Sequence, residues 1–189
     1  MTAPTNYFIP LTEDLIETVR IWRNKTRISQ NMLTNKHISE EEQRQWFANL
    51  QSRDDKRFLV LHQNQRPIGI LSFDGVGSQK ISWGCYLGEE DIWPGSGLLL
   101  EIAALDYAFD VLDANTLIAE VLAENAVPIR MHLFFGYHEQ TAREIEKDGR
   151  TQQLRLFEYS KKDWNSRKAE ILHKLPKNIQ LAASTMAYK

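Results

Sequence analysis

Gly95-Ser96-Gly97, preceded by Pro94 and followed by a long apolar stretch, is the segment of this chain whose residue types first suggest chemistry. A helix starting there would offer unpaired main-chain N–H groups and its positive dipole end to a phosphate, and the two glycines would let the backbone approach closely. The six-residue dinucleotide fingerprint and the phosphate-loop lysine are both missing. About one strand further on, Asn125-Ala-Val-Pro-Ile-Arg-Met-His-Leu-Phe-Phe-Gly-Tyr137 places an Asn at a helix start, His132 seven residues later and Gly136-Tyr137 at the close. The single cysteine, Cys85, can form neither an intramolecular disulfide nor a zinc cage. No His/Asp/Glu cluster has ligand spacing, so no metal is expected.

Composition narrows the function classes. The 189 residues carry 23 Lys+Arg against 25 Asp+Glu, a net charge of −2, which gives no electrostatic bias toward nucleic acid. The apolar run from Leu98 to Leu112 is interrupted by Glu101, Asp106 and Asp110, short of the ~20 clean apolar residues of a membrane span. The opening MTAPTNYFIP lacks the basic region and apolar block of a signal peptide. Together with the lone thiol this predicts a cytoplasmic protein with neither membrane nor nucleic acid as partner.

The elements that would position these residues follow from local signals. Asn6 to Pro10 reads as a short strand. Thr12 with Glu13 and Asp14 reads as a capped helix start, with Leu15, Val19 and Trp22 on one face. Ser39 and Glu42 form a capping box for a helix that turns Trp46, Phe47 and Leu50 inward. Arg57 to His62 and Pro67 to Phe73 read as a hairpin about Asn64, Ile81 to Leu87 as a third strand of that meander, Leu98 to Leu112 as a long apolar helix and Thr116 to Leu122 as the next strand. Asn125 can cap a helix over Ala126 to Phe135 that ends at Gly136. Strands at Tyr137 to Ile145 and Gln152 to Tyr159 turn at Asp148-Gly149. A polar helix over Lys161 to Leu175 and a loosely held end after Pro176 complete the chain. The order predicts an α/β mixed sheet, mostly antiparallel, with helices on its faces. Residues 1–160 form one unit and 161–189 a C-terminal helix and tail.

In order and spacing, from about Tyr7 to Tyr159, the chain resembles the GNAT N-acetyltransferase superfamily. That family carries Gln/Arg-x-x-Gly-x-Gly/Ala for the coenzyme A pyrophosphate, then Asn-x-x-Ala, a Tyr near the thioester sulfur and a terminal Gly-Phe. Here Ile92 stands for the Gln/Arg, Pro128 for the Ala, His132 for the Tyr and Tyr137 for the Phe. A narrower resemblance, in Trp22-Arg23-Asn24, Met32, His37-Ile38-Ser39-Glu40-Glu41, Trp46-Phe47, Ile129-Arg130-Met131-His132 and Asp148-Gly149, is to the acetyltransferases of the pseudaminic acid pathway. Those act on the 4-amino group of a UDP-linked 4-amino-4,6-dideoxy-N-acetyl-altrosamine. Some members carry a His where this chain has Gln43.

The resemblance implies a splayed sheet, acetyl-CoA as cosubstrate and a small nucleotide sugar as partner, with a homodimer left open. Cys85-Tyr86-Leu87 would lie along the thioester, with a main-chain N–H at its carbonyl oxygen. Pro94, Gly95, Ser96, Gly97 and Asn125 would complete the coenzyme site. His132 would protonate the departing thiolate, and Glu120, sharing its strand with Ile118 and Leu122, would take the amine's proton through water, with Glu124 as second choice. Arg23, Asn24 and Arg27, with His37, would hold the acceptor's diphosphate. Cys85 is expected to be an inert buried thiol, which excludes a covalent acetyl-enzyme. Two other functions fit the same scaffold: acetylation of protein N-termini of the ribosomal-protein type, and coenzyme binding without transfer.

Overall fold

A computed structural model describes residues 3–189. The strand β1 (Asn6–Pro10) leads through a 3-10 turn into α1 (Ile16–Asn24), α2 (Thr26–Ser29) and α3 (Glu40–Leu50). The meander β2 (Lys56–Gln63), β3 (Arg66–Asp74) and β4 (Lys80–Leu87) follows, then α4 (Ser96–Asp106), β5 (Thr116–Leu122), α5 (Ala126–Phe135), β6 (His138–Lys147) and β7 (Arg150–Ser160). The chain closes with α6 (Lys161–Lys174), α7 (Lys177–Ser184) and β8 (Ala187–Tyr188). Among the described residues all eight strands form one sheet in the order β6-β7-β5-β4-β3-β2-β1-β8, antiparallel except at β4–β5 and β1–β8.

Period-2 alternation sends successive side chains to opposite faces and so builds two cores from one sheet. Leu59, Leu61 and Leu71 pack in the larger cluster with Leu99, Phe109, Phe135 and Trp164. Their neighbours Val60 and Ile70 point the other way, to Ile16, Val19 and Trp22 of α1. Helix α4 lies where the core is thickest and is buried almost all round, from Ser96 to Leu105. The regular α-helix gives way at Tyr107–Val111 to a wider π turn, so the helix expected from Leu98 to Leu112 is two geometries in series.

Several local signals act as the sequence predicts. The Ser39 hydroxyl accepts from the Glu42 N–H at 3.2 Å and the Glu42 carboxylate accepts from the Ser39 N–H at 2.8 Å. Gly136 caps α5 at φ 92. The Asp148-Gly149 turn has both residues at positive φ, 53 and 70, the geometry that joins two twisted strands tightly.

Three expectations are corrected. Thr12 is extended and makes no side-chain cap bond. Asn125 makes none either; its φ of −85 and ψ of 76 lie outside the extended conformation typical of a cap. The end after Pro176 is not loosely held: α7 buries Ile179 and Ala182, and β8 pairs in parallel with β1 through Tyr7↔Ala187 and Phe8↔Tyr188.

The capping box carries a pH signature. Lys36, hydrogen-bonded at 2.6 Å, and then the N–H and hydroxyl of Ser39 pull Glu42 down from its ordinary 4.5 to about 2. The folded protein therefore holds this proton more weakly than the unfolded chain. The stabilisation is fully present above about pH 4.5 and is lost as pH falls toward 2. The stability gap between the wild type and Glu42→Gln, measured by urea unfolding, is expected to narrow from pH 5 to pH 2; a gap constant over that range would exclude the coupling.

Candidate active site

The site arises from a break in strand pairing. β4 and β5 pair only from Lys80↔Thr116 to Trp83↔Ala119. Beyond that, β4 stays with β3 as far as Gly69↔Leu87, and β5 stays with β7 as far as Leu122↔Leu154. Gly84–Leu87 and Glu120–Leu122 thus diverge inside the sheet, leaving main-chain groups on both banks without a strand partner. A cleft of about 870 Å³ opens there. Cys85, Tyr86 and Leu87 line one bank and Glu120 the other; Gly97, Glu101, Met131 and His132 line it from α4 and α5.

The loop before α4 leads to the cleft at Gly97. Gly95 sits at φ 106, a left-handed conformation in which a side chain would be strained. Gln63 fixes the loop from beneath: its Oε1 accepts from the Trp93 N–H at 2.9 Å and its Nε2 donates to the Ser96 hydroxyl at 3.0 Å. Ser96 in turn donates to the Trp93 carbonyl at 2.7 Å and is 1% exposed. Its side chain therefore serves the loop from inside and is not offered to a ligand. The same holds at the cleft wall, which Gly97 and Asn125 reach but Pro94, Gly95 and Ser96 do not. Among the described residues the main-chain N–H groups of Gly95 and Gly97 have no partner, whereas those of Ser96, Leu98 and Leu99 do. Two free N–H groups at the start of an eleven-residue helix, beside an unpaired strand edge, fit a diphosphate joined to an extended amide-bearing arm.

The chemical centre holds a pair only half visible in the sequence. His132 Nδ1 lies 2.9 Å from Glu101 Oε1, and the two side chains are 4% and 2% exposed. The imidazole packs against Tyr137, Phe157 and Trp83 at centroid distances of 4.7, 5.4 and 5.6 Å. With Glu101 holding Nδ1, the proton exchanged with a ligand is that on Nε2. In the sequence Glu101 reads only as an interruption of an apolar run. The available signal was that a carboxylate on an otherwise apolar, fully buried helix requires a partner. Burial and then the Glu101 charge push the Tyr137 hydroxyl well above its usual range, so it is a neutral donor. The Tyr137 hydroxyl and the Trp83 indole N–H are buried without a hydrogen-bond partner.

Cys85 departs from expectation in exposure: its side chain reaches the cleft rather than the core. Protein atoms nevertheless crowd it, and desolvation followed by the Glu101 charge drives its thiol pKa far upward, which suppresses the nucleophilic thiolate. Cys85→Ala is expected to keep near-wild-type turnover; complete loss of activity in a folded variant would reinstate a covalent route. Glu120 is on the cleft and accepts from Arg143 at 2.8 Å, while Glu124 is not on its wall.

A further stretch of the cleft wall is built by α1, α2 and the loop to α3. Arg23 donates through Nη2 to the Thr34 carbonyl at 2.7 Å, but its Nη1 is buried with no partner, and burial lowers its pKa. Asn24, expected on the substrate, is off the cleft wall: it donates to the Ile38 carbonyl at 2.8 Å and accepts from the Ile38 N–H at 2.9 Å. Arg27 lines the cleft, yet its guanidinium is committed to the carbonyls of Leu87 and Gly88 at 2.9 and 2.6 Å and to Glu90 at 2.8 Å, where it clamps the end of β4. His37 lines the cleft and is exposed. Trp46, edge-on to Phe58 at 5.1 Å, belongs to this stretch, whereas Trp22 is a core anchor that donates to Glu89.

Among the described residues no helix is long and apolar enough to cross a membrane, and no group of three His, Cys, Asp or Glu could hold a metal. A family model described as an acetyltransferase (GNAT) domain matches residues 7–138. Acetyltransferase PseH of Campylobacter jejuni serotype O:2 is 30% identical over 125 residues, 66% of this chain and 78% of that protein. Its counterpart from serotype O:23/36 is 29% identical over the same length. Among solved structures, a spermidine N-acetyltransferase from Vibrio cholerae, in complex with CoA and spermine, superposes with a TM-score of 0.79 at 17% identity, over 85% of this chain and 98% of that one. The splayed strands, the free N–H groups before α4 and the matched domain agree: the chain belongs to the GNAT family of acetyl-CoA-dependent N-acetyltransferases.

Proposed function

We propose that the acceptor is the amino group of a nucleotide-linked amino sugar, a UDP-4-amino-4,6-dideoxy sugar of the pseudaminic acid pathway. The observation that carries this reading is Arg23: a half-buried cation on the cleft wall, whose Nη1 is buried without a partner and which, among the described residues, is paired to no carboxylate. An arginine stays charged at neutral pH even when burial lowers its pKa, and a buried N–H donor without an acceptor is costly until one meets it. A diphosphate supplies that acceptor; a polyamine, itself a polycation, would add repulsion. The PseH relatives support the same choice.

Bound acetyl-CoA supplies a thioester, an acyl group already activated toward an amine. The chain's own groups then have three tasks. The unpaired main-chain edge of β4 at Cys85–Leu87 orients the arm and offers an N–H to the oxygen on which charge develops. Glu120 receives the proton released by the attacking nitrogen, through solvent. His132 Nε2–H, set by Glu101, provides a proton to the departing sulfur. One proton leaves nitrogen and one reaches sulfur, so the transfer balances without a covalent acetyl-enzyme.

A mass-shift assay with acetyl-CoA and purified protein tests the reading on three acceptors in parallel: a UDP-4-amino-4,6-dideoxy sugar, spermidine and an N-terminal peptide. One acetyl group added to the sugar nucleotide in strong preference to the others is expected. Preferred acetylation of spermidine or of the peptide would overturn it, and coenzyme binding without turnover on any acceptor would leave a binding module.

A further inference from the structure

We propose that the C-terminal segment from α7 to β8 is a built part of the coenzyme site, with Ile179 as the residue that positions Gly95. The proposal rests on reading the loop before α4 as the seat of the coenzyme's diphosphate. This segment lies beyond residues 7–138, the region that carries the family match.

The contact is direct. A Cβ built on Gly95 would overlap Cδ1 of Ile179, so the isoleucine fills the space that the glycine leaves. Ile179 is 2% exposed and belongs to the main core, and Trp93 Cζ3 lies 3.5 Å from the same point. Gly95 is thus held directly by Ile179 and, through its neighbours, by the Gln63 network that ties Trp93 and Ser96. Both grips converge on β1. Gln63 Nε2 also donates to Asn6 on that strand at 3.1 Å, and β8 pairs with it one residue further on at Tyr7↔Ala187. The hinge between α6 and α7 is fixed by Gln180 Nε2, which donates to the Leu175 carbonyl at 2.7 Å.

The physical consequence concerns the free N–H groups. A glycine at positive φ is the residue most able to leave its conformation, and the direction of the Gly95 and Gly97 N–H bonds depends on that conformation. Packing by Ile179 removes this freedom before the ligand arrives, so less ordering is left for binding to drive. Loss of the packing should weaken the coenzyme and leave the acceptor side and the His132–Glu101 pair unaltered.

Calorimetric titration of CoA into full-length wild type, Ile179→Val, Ile179→Ala and Ile171→Ala tests this, with steady-state kinetics alongside. Ile171 lies in α6 in the same core cluster, so its alanine variant reports a cavity away from the loop. Ile179→Ala is expected to weaken CoA about tenfold and to raise the acetyl-CoA KM in step, with kcat and the acceptor KM nearly unchanged. Ile179→Val should fall between it and the wild type, and it serves alone if the alanine variant does not fold. Ile171→Ala should lose thermal stability but keep CoA affinity. Wild-type affinity in the Ile179 variants, or equal weakening in Ile171→Ala, would overturn the proposal. Absence of CoA binding by the wild type would instead overturn the coenzyme reading beneath it.

Discussion

His132→Ala is expected to lower kcat by about two to four orders of magnitude, the range associated with a positioned proton donor, with CoA affinity nearly unchanged. The substitution also carries a structural cost that must be separated from the chemical one. The ring is buried among Tyr137, Phe157 and Trp83, and its removal strands the Glu101 carboxylate, a loss of about 3–5 kcal/mol where a buried charge keeps no partner. His132→Gln fills more of the space and can still donate to Glu101, so it should fold better than the alanine variant while remaining just as slow. Glu101→Gln keeps a hydrogen-bonding partner for Nδ1 but removes the charge that steadies an imidazolium, and it should give a smaller loss, in kcat rather than in acceptor KM. Thermal unfolding, CoA titration and single-turnover rates on the three variants separate these effects. A full-rate His132→Gln enzyme would remove the imidazole from the mechanism.

Where the deciding interactions were short in sequence, the chain was legible as a string of residues. The Ser39–Glu42 box joins residues three positions apart, the Gly136 cap follows from left-handed geometry, and Asp148-Gly149 suits a tight hairpin turn. Distance in sequence hid the rest. Tyr7 and Ala187 pair across nearly the whole chain, and α7, which buries Ile179 and Ala182, is only eight residues long, too short for its apolar spacing to mark a buried helix. Glu101 and His132 stand 31 positions apart, so the residue type was visible but its partner was not.

The acceptor side shows a different limit. Arg23, Asn24 and Arg27 all have the functional groups to hold a diphosphate, and residue type alone treats them alike. Irregular segments leave main-chain carbonyls and N–H groups that must find partners. Asn24 meets that need at Ile38, and Arg27 meets it at Leu87 and Gly88. Arg23 satisfies one such carbonyl and has a nitrogen to spare. Whether a polar side chain serves the fold or the ligand is decided by how many of its donors the loop has already taken.

Arg23→Met makes that distinction measurable. Methionine approximates the stem of arginine but removes the planar fork, so the acceptor's diphosphate loses a charge-assisted contact. Such bonds contribute about 1.5–3 kcal/mol, which corresponds to roughly a 10- to 150-fold rise in the sugar-nucleotide KM. Acetyl-CoA KM should hardly move, because Arg23 bonds to the Thr34 carbonyl and to no atom of the loop before α4. Arg23→Lys is expected to recover little of the loss, since a compact ammonium cannot bridge two phosphate oxygens while also serving the Thr34 carbonyl. Folding stability offers an independent check. Removing a half-buried cation with an unpartnered nitrogen should cost less than removing the paired guanidinium of Arg27, whose three contacts hold the end of β4. An Arg23→Met enzyme with an unchanged sugar-nucleotide KM, or one that gains KM equally for both substrates, would place the anionic part of the acceptor elsewhere in the cleft.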